Sequence, residues 1–312
     1  MDQYQRTIPW GKYCRQHGAR HPLADHCLDV AIAFRALLDI PGITRSLPPL
    51  DPVQCERLTV LAFLHDFGKC NRGFQAKADP KARDTAGHVF EAVALLWELP
   101  DHWPPHWRAL LTDIASWFET DEQAMQMLLA SISHHGRPVS ERDYQNSGIE
   151  RTARKWWSTK DGFDPLAALD ALTSTVRTAF PLAFEGEAPP IDATPALQQR
   201  FAGLVMLADW IGSDTQFFPY RQSPEEDRRA LAWAAAQRAL QQIGLVPPTR
   251  RQPKPFEATF PFSPTPLQAA LASEIAIDDG SRLLLAESDT GSGKTEAALA
   301  WFFRLYAEAR VD

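Results

Sequence analysis

Cysteine is scarce in this sequence, and its four cysteines are scattered as Cys14, Cys27, Cys55 and Cys70. Because no two of them form a CxxC pair, the sequence indicates neither a disulfide framework nor a zinc knuckle, and a reducing cytoplasm fits best. Long hydrophobic runs are also missing. Without a run of about 18 apolar residues we expect no membrane-spanning helix and no membrane partner. The N-terminus likewise lacks the apolar segment of a secretory signal.

Positive charge is in deficit: 32 lysines and arginines face 39 aspartates and glutamates, for a formal net charge of −7. This balance argues mildly against a protein that coats nucleic acid by bulk electrostatics. It does not exclude an enzyme that engages phosphates through bound metal ions, since such ions are often the largest local charges in a site. The length of 312 residues predicts about two domains, and 45% hydrophobic residues suffice for a substantial core.

Apolar residues recur at three- and four-residue steps through most of residues 1–245, which predicts a mainly helical domain there. Asp51 is the expected N-cap of one helix, Pro52 its first residue and Gly68 its stop signal. The predicted helices cover residues 23–39, 52–67, 86–98, 105–118, 121–134, 165–179, 194–212 and 224–243. We therefore expect the fold class to be mainly α, with a helical bundle as its first domain.

The composition changes at residues 246–266, VPPTRRQPKPFEATFPFSPTP, where seven prolines disfavour an interior helix or a central strand. We interpret residues 246–262 as an interdomain linker. The next segments predict a helix over 267–278, a short strand over 282–287, a glycine-bearing loop and a helix over 294–309. This order is typical of the opening of an α/β nucleotide-binding domain, which residues 263–312 would form.

Histidine and aspartate residues lie on the apolar faces or at the ends of several predicted helices. They are His26, His65, Asp66, His88, His134, His135 and Asp209. Any one of them alone is ordinarily a satisfied core or capping residue, but a bundle can converge such side chains on one point. Imidazole nitrogens and carboxylate oxygens suit iron, manganese, nickel, cobalt and zinc.

The adjacent pair His65 and Asp66 stands at a predicted helix end, where both side chains can reach a metal and the carboxylate can bridge two metals. Two metals about 3.5–4 Å apart suit in-line attack on a phosphodiester, because one ion activates water and the other steadies the leaving oxygen. We therefore expect two divalent transition metals as cofactors: manganese, iron, nickel or cobalt, with magnesium still open.

The ordered set from His26 to Asp209 resembles the HD-phosphohydrolase superfamily. The segments HDFGK (65–69), HHG (134–136) and ADWIGSD (208–214) make it similar to the HD nuclease domain of the CRISPR-associated helicase-nucleases of type I systems, over residues ~15–245. The resemblance implies two metal sites that share Asp66. The first would be held by His26, His65, Asp66 and Asp209, and the second by Asp66, His88, His134 and His135.

The resemblance also implies a catalytic role for Asp66 and for Lys69, the latter as a cation beside the scissile phosphate. A lysine that satisfies carbonyls at a helix C-terminus remains an equal alternative. For Ser213 the resemblance suggests a contact behind the metal ligands, and a helix-terminal turn is equally good. We interpret His17, His21, His102 and His106 as surface or capping residues, and the Trp156–Trp157 pair as packed on the bundle.

A glycine-bearing loop, SDTGSGKTE (288–296), marks the second domain. Its backbone N–H groups would cradle phosphates, the lysine would reach the β/γ oxygens and the last threonine would bind Mg²⁺. The loop resembles motif I of superfamily 2 helicases, although Ser288 stands where the strict pattern has glycine. FSPTPLQ (262–268) resembles their adenine-reading Q motif, with Phe262 a candidate stacking ring. The implied ATP and Mg²⁺ ligands of the full-length parent are Gln268, Thr290, Gly291, Ser292, Gly293, Lys294 and Thr295.

The leading functional hypothesis is a metal-dependent nuclease that hydrolyses phosphodiester bonds of single-stranded DNA in CRISPR type I interference. By the resemblance, its parent would be recruited by an RNA-guided surveillance complex of the Cascade type to the displaced strand. One alternative is another HD-family nucleotide phosphohydrolase or phosphodiesterase, which the fused helicase-like opening argues against. The other is a recruitment module that docks on the surveillance complex.

Downstream of the loop the sequence lacks the other parts of an ATP-driven motor. Only 17 residues follow Thr295, without a Walker B strand, a second RecA-like lobe or an arginine finger. Hydrolysis needs these parts, and an arginine finger alone contributes about 10³–10⁵ in rate. We therefore expect the whole sequence to be the N-terminal part of a longer helicase-nuclease. It would contain only the opening of a RecA-like domain and have no helicase activity.

We predict that the 312-residue chain has no measurable ATPase and that Lys294→Ala leaves its ATP-independent cleavage of single-stranded DNA unchanged. Phosphate release and DNA cutting should be measured side by side for both proteins. Single-strand-stimulated ATP turnover that the substitution abolishes would contradict the prediction.

Overall fold

The structure is a computed structural model that describes residues 8–14, 16–221, 227–246, 254–277, 283–308 and 310–311. The chain divides into two compact units, residues 1–243 and residues 244–312. In the described ranges no helix combines the length and the apolar character that crossing a membrane requires.

The first unit is built from α-helices and a small antiparallel sheet, in which β1 (Trp10–Cys14) pairs with β2 (Ala19–Pro22). Its helices are α1 (Leu23–Leu38), α2 (Pro41–Ser46), α3 (Pro52–Phe63), α4 (Arg72–Gln75), α5 (Val89–Glu98), α6 (Pro105–Ser116), α7 (Asp121–Ile132), α8 (Glu141–Ser147), α9 (Ala153–Trp156), α10 (Pro165–Ala179), α11 (Pro181–Glu185), α12 (Pro195–Gly212) and α13 (Arg228–Gln242). Short 3₁₀ segments cover Leu64–Cys70, Ala76–Ala78, Pro100–His102 and Ile149–Arg151. The predicted mainly helical fold class is confirmed.

Helix α3 begins as predicted but ends early. The Asp51 carboxylate accepts a hydrogen bond from the Gln54 amide at 2.9 Å, and the Gln54 side chain bonds back to the Asp51 backbone, which completes a capping box. The helix ends at Phe63, and the chain continues as a 3₁₀ segment instead of an α-helix to residue 67. Because a 3₁₀ segment turns about 120° per residue, this change redirects the side chains that follow.

Helix α1 is the central element of the first unit and packs against α3, α12 and α13. Almost all of its residues are buried, as expected for a helix surrounded by others. A Cβ atom on Gly212 of α12 would lie 2.9 Å from the Val30 Cα, so the two helices touch backbone to backbone. This close approach brings the turn of α12 with Asp209 next to the turn of α1 with His26.

A buried charge pair joins α1 to α13. Asp29 has no exposed surface, and the Arg228 Nε donates to its Oδ1 at 2.8 Å. His21 Nε2 lies 2.9 Å from the other carboxylate oxygen, and Arg228 also donates to the Pro219 carbonyl. The expectation that His21 lies at the surface or caps a helix is wrong, because it is 1% exposed. The hairpin that buries it pairs residues without an alternating apolar pattern, so the sequence did not reveal it.

The N-terminal hairpin is fixed to the segment after α3 by Gln75. This side chain accepts from the Trp10 amide at 2.9 Å and donates to the Trp10 and Lys69 carbonyls at 3.0 and 2.7 Å. A Cβ atom on Gly11 would lie 2.8 Å from the Cβ of His26. The hairpin therefore lies directly over α1, and only glycine fits this contact without a shift.

The second unit contains α14 (Phe256–Thr259), α15 (Pro266–Ala269), a π turn (Ala270–Glu274) and α16 (Lys294–Ala307). The helix predicted over 267–278 is therefore shorter, and Asp278 lies outside the described residues. The strand predicted over 282–287 is not formed at residues 283–287. Leu283 and Leu285 are 77% and 85% exposed, and no described strand of this unit pairs with them. The RecA-like assignment of residues 263–312 and the linker boundaries stay predictions.

We predict that Arg228→Met lowers the free energy of unfolding by about 3–5 kcal/mol, because it leaves the Asp29 carboxylate buried without its main cationic partner. The matched control is Arg35→Met, which removes an arginine from the partly exposed pair with Asp39 and should change stability by less than about 1 kcal/mol. Urea denaturation of the three proteins measures both differences. Equal effects of the two substitutions would show that the buried pair does not hold α13 against α1.

Candidate metal centre

All seven histidine and aspartate residues singled out in the sequence lie in one cluster, with Asp66 at its centre. Asp66 Oδ2 lies 3.0 Å from His26 Nε2 and 3.3 Å from His65 Nε2. Asp66 Oδ1 lies 3.2 Å from His88 Nε2 and 3.7 Å from His134 Nε2. The two oxygens of one carboxylate thus face two different pairs of histidines.

The remaining two residues extend the cluster on opposite sides. Asp209 Oδ1 lies 3.7 Å from the Nε2 atoms of both His26 and His65. His135 Nε2 lies 3.0 Å from His88 Nε2. Two groups have ligand atoms close enough to share a metal ion, within 4.8 Å of one another: one is His26, His65 and Asp66, and the other is His88, His134 and His135. Their role as metal ligands stays a prediction.

The 3₁₀ segment after α3 sets the direction of His65 and Asp66. It passes so close to the chain at His88 that a Cβ atom on Gly68 would lie 1.9 Å from the His88 carbonyl oxygen. No side chain fits there, so the glycine predicted as a helix stop also permits this approach. His88 directly precedes α5, and the contact brings its imidazole against the Asp66 carboxylate.

Backbone carbonyls orient two of the imidazoles. His65 Nδ1 lies 2.9 Å from the Ala62 carbonyl, and His134 Nδ1 lies 3.1 Å from the Ser131 carbonyl. In each case the ring donates Nδ1–H to the carbonyl three residues earlier, which leaves the Nε2 lone pair directed at the centre of the cluster. This arrangement is typical of metal-binding histidines.

The electrostatics hold the cluster in the protonation state that metal binding needs. Burial lowers the pKa of His26 to about 3 and that of His134 to about 4, so both imidazoles are neutral near pH 7. Burial alone would raise the pKa of the Asp66 carboxyl, but the charge of the neighbouring Lys69 and the hydrogen bond to His26 bring it well below its usual range. Neutral imidazoles and an ionised carboxylate are the forms that bind metal.

Two buried polar atoms without described hydrogen-bond partners indicate whether the cluster fits a cation. His65 Nε2 and Asp66 Oδ1 are shielded from solvent and have no hydrogen-bond partner among the described residues. Buried polar atoms almost always have a partner, and both of these point into the cluster. A divalent cation would satisfy them, and a set of nitrogen and oxygen ligands without thiolate suits first-row transition metals.

Two lysines lie beside the carboxylates. Lys69 forms an ion pair with Asp66 and donates to the Gly11 carbonyl at 3.2 Å. Lys12 of β1 donates to the Ser213 carbonyl at 2.7 Å, and burial lowers its pKa to about 8 despite the nearby charge of Asp209. Sequence reasoning missed Lys12, because only the hairpin brings it to the cluster and no local sequence pattern predicts that contact.

Contacts of Ser213 and of the tryptophan pair bear on two further sequence interpretations. The Ser213 hydroxyl donates to Asp209 Oδ1 at 2.9 Å, and Ser213 is also the C-cap of α12, so both interpretations of this residue describe its position. Trp156 and Trp157 are 6% and 3% exposed, and the Trp157 indole donates to the Glu91 carbonyl at 2.9 Å. The interpretation of this tryptophan pair as packing residues is therefore confirmed.

In the predicted nucleotide loop of the second unit, backbone carbonyls accept hydrogen bonds from two side chains of the same unit. Lys294 Nζ donates to the carbonyls of Ser288 and Asp289 at 2.8 and 2.7 Å. Gln268 caps its own helix and donates to the Gly293 carbonyl at 3.0 Å. Gly291 and Gly293 both have φ of 82°, which favours glycine, and Thr295 lies in the first turn of α16. Nucleotide binding by this loop, including Thr290 and Ser292, stays a prediction.

Comparison with known proteins gives a family match that covers the metal cluster. The family model for the Cas3 HD domain matches residues 10–218, more than half of the chain. A CRISPR-associated endonuclease/helicase Cas3 of Thermus thermophilus is 32% identical over 298 residues, covering 89% of this chain and 30% of that protein. The chain thus spans less than a third of the length of this relative.

Solved structures agree with the family match. A crystal structure of the Thermus thermophilus Cas3 HD domain in the presence of Ni²⁺ has a TM-score of 0.50 and 26% identity, over 72% of this chain and 85% of that one. A crystal structure of T. fusca Cas3-AMPPNP has a TM-score of 0.57 and 25% identity, over 97% of this chain and 34% of that one.

We predict that Mn²⁺ or Ni²⁺ raises the melting temperature of the chain relative to EDTA. A ligand at about 100 times its Kd stabilises by about 2.7 kcal/mol, which corresponds to roughly 5–10 °C for a unit of this size. His65→Gln should remove most of the shift, because it deletes a ligand atom at the centre of the cluster. His106→Gln, at a histidine that is 63% exposed and paired with Asp170, should keep it. An equal metal shift in both variants would sink the assignment.

Proposed function

The chain belongs to the Cas3 HD domain family, and on this premise we propose that it is a metal-dependent nuclease that hydrolyses phosphodiester bonds of single-stranded DNA in CRISPR interference. The observation that carries the proposal is the Asp66 carboxylate, whose two oxygens face two separate histidine pairs. Such an arrangement would let the carboxylate hold one metal ion with each of its oxygens. The related HD domain that was crystallised in the presence of Ni²⁺ is consistent with a metal at this position.

Each side chain has a definite task in the proposed reaction. Asp66 would contribute an oxygen to each of two metal sites, and His26, His65 and Asp209 would complete the first. His88, His134 and His135 would complete the second. Two divalent ions held there would supply a metal-activated water and positive charge for the leaving oxygen.

The lysines and the serine act around these ligands. Lys69, paired with Asp66, carries the positive charge that attracts the scissile phosphate, and Lys12 adds a second cation near Asp209. The Ser213 hydroxyl fixes the Asp209 carboxylate in one orientation. In a chain with net charge −7, these two lysines place cationic groups beside the carboxylates of the cluster.

The open side of the cluster favours a single strand as substrate. His26, His65 and Asp66 are at most 1% exposed, whereas His135 is exposed and marks the side from which a phosphate can approach. A stiff duplex cannot bring a phosphate to buried ligands without unpairing, but a flexible strand can. We further propose that the full-length parent binds ATP and Mg²⁺ through the loop at 290–295 and is recruited by an RNA-guided surveillance complex.

We predict that Asp66→Ala lowers the rate of cleavage of circular single-stranded DNA at least about 100-fold in the presence of Mn²⁺ or Ni²⁺. Loss of a contact behind the ligands already costs 10–100-fold, and Asp66 is a shared ligand. His26→Ala should cost less than Asp66→Ala, and His106→Ala should have no effect.

Blunt duplex DNA of the same sequence should be cut more slowly than the single strand by the unmodified protein. Cleavage by Asp66→Ala at the unmodified rate would contradict the metal-bridging role. Absence of cleavage by the unmodified protein with any of the four transition metals would favour the recruitment alternative.

A further inference from the structure

A groove runs between α7 and α12 of the first unit, and some of its lining residues are neighbours in sequence of residues of the candidate metal centre. Its volume is about 560 Å³. On the α7 side it is lined by Leu129 and Ser133, and His134 follows directly. On the α12 side it is lined by Met206, one helical turn before Asp209. Both walls therefore lead to residues of the metal centre.

Trp210 extends the α12 wall toward the metal centre. It follows the groove residues Gly203 and Met206 by seven and four positions, so it lies on the same face of the helix. Its side chain is 65% exposed, the highest value for a tryptophan in the described part of the chain. A large exposed indole directly after a metal-site aspartate offers a flat surface for stacking.

The lining of the groove has the chemistry of a single-stranded nucleic acid site. Its only charged side chain is Arg137, which is exposed and has no ion-pair partner among the described residues. Among the described residues, no carboxylate lines the groove. The Gln198 amide donates to Gln126 Oε1 at 2.7 Å and joins the two walls. An apolar floor, amides, a free cation and a stacking ring combine the features that bind bases and phosphates of a single strand.

We propose that this groove binds the nucleotides next to the scissile phosphate, with one base stacked on Trp210 and a backbone phosphate beside Arg137. The inference rests on the proposed nuclease function and adds the path of the strand to it. A Cβ atom on Gly203 would meet nothing within 4 Å, so a side chain added there would extend into the groove without displacing protein atoms. In a duplex the paired and stacked bases could not present a free face to Trp210.

Binding can be measured without catalysis. The Kd of a fluorescently labelled oligo-dT is determined by anisotropy in EDTA for the unmodified protein, Trp210→Ala, Trp210→Phe and Trp233→Ala. Loss of one base–aromatic contact predicts a Kd about 5- to 100-fold higher for Trp210→Ala and a smaller increase for Trp210→Phe. Trp233→Ala, at an exposed tryptophan of α13, should bind as the unmodified protein does.

An abasic oligonucleotide separates stacking from phosphate contacts. It should bind the unmodified protein more weakly than oligo-dT, and Trp210→Ala should weaken it no further. An unchanged Kd of Trp210→Ala for oligo-dT would overturn the proposal and point to a different occupant, such as an apolar protein segment.

A second pair of variants tests the groove itself. Gly203→Glu places a negative charge on the wall, and Gly203→Gln adds almost the same volume without charge. We expect Gly203→Glu to raise the KM for single-stranded DNA at least about fivefold above that of Gly203→Gln. Equal KM values for the two variants would overturn the path along this groove.

Hydrolysis of bis(p-nitrophenyl) phosphate, which has no base, keeps this inference distinct from the proposed function. The loss that Trp210→Ala causes with the oligonucleotide should exceed its loss with the small diester at least fivefold. If the unmodified protein hydrolysed neither substrate, the nuclease function would fail, and the Kd measurements would still decide whether the groove binds DNA. If it cut DNA and Trp210→Ala had the same Kd and KM, only the groove would fail.

Discussion

A carboxylate buried at the centre of a helical bundle is the constraint on which the rest of this structure depends. Asp66 is 1% exposed, and an isolated charge at such a depth is strongly disfavoured. The surrounding elements compensate this charge with imidazoles from α1, from the 3₁₀ segment after α3, from the residue before α5 and from the chain after α7, and with the ammonium group of Lys69. The same compensation directs the two oxygens of the carboxylate toward two different pairs of histidines.

Close packing in the first unit determines the positions of these side chains. Gly212 lets α12 approach α1, Gly68 lets the 3₁₀ segment approach His88, and Gly11 lets the hairpin cover His26. In each case a backbone comes closer than a side chain would allow, and a polar residue of the cluster lies beside the contact. The buried pair of Asp29 and Arg228 then fixes the opposite side of α1 against α13. Close backbone contacts and one ion pair together leave α1, the helix that carries His26, little freedom to shift.

Local patterns predicted the helices and the seven cluster residues, because a polar residue on an apolar helix face is visible in the sequence alone. The features that the sequence did not predict depend on contacts between residues that are far apart in the chain. Lys12 and His21 reach the interior only through a hairpin with no alternating pattern. The tight turn at His65 and Asp66 arises from the approach of His88, and the predicted strand over 282–287 has no described partner. Pairing between distant segments decides each of these features, and local propensity carries no information about it.

The order of the cluster residues along the chain has a consequence for biosynthesis. His26 lies near the start of the first unit and Asp209 near its end, yet their side chains are 3.7 Å apart. A ribosome-bound chain cannot assemble the complete site until α12 has emerged, and a product cleaved between α1 and α12 cannot keep it once the pieces separate. Such distant contacts form slowly because the intervening chain must first be ordered. The seven residues of the cluster therefore come together only after nearly the whole first unit has folded.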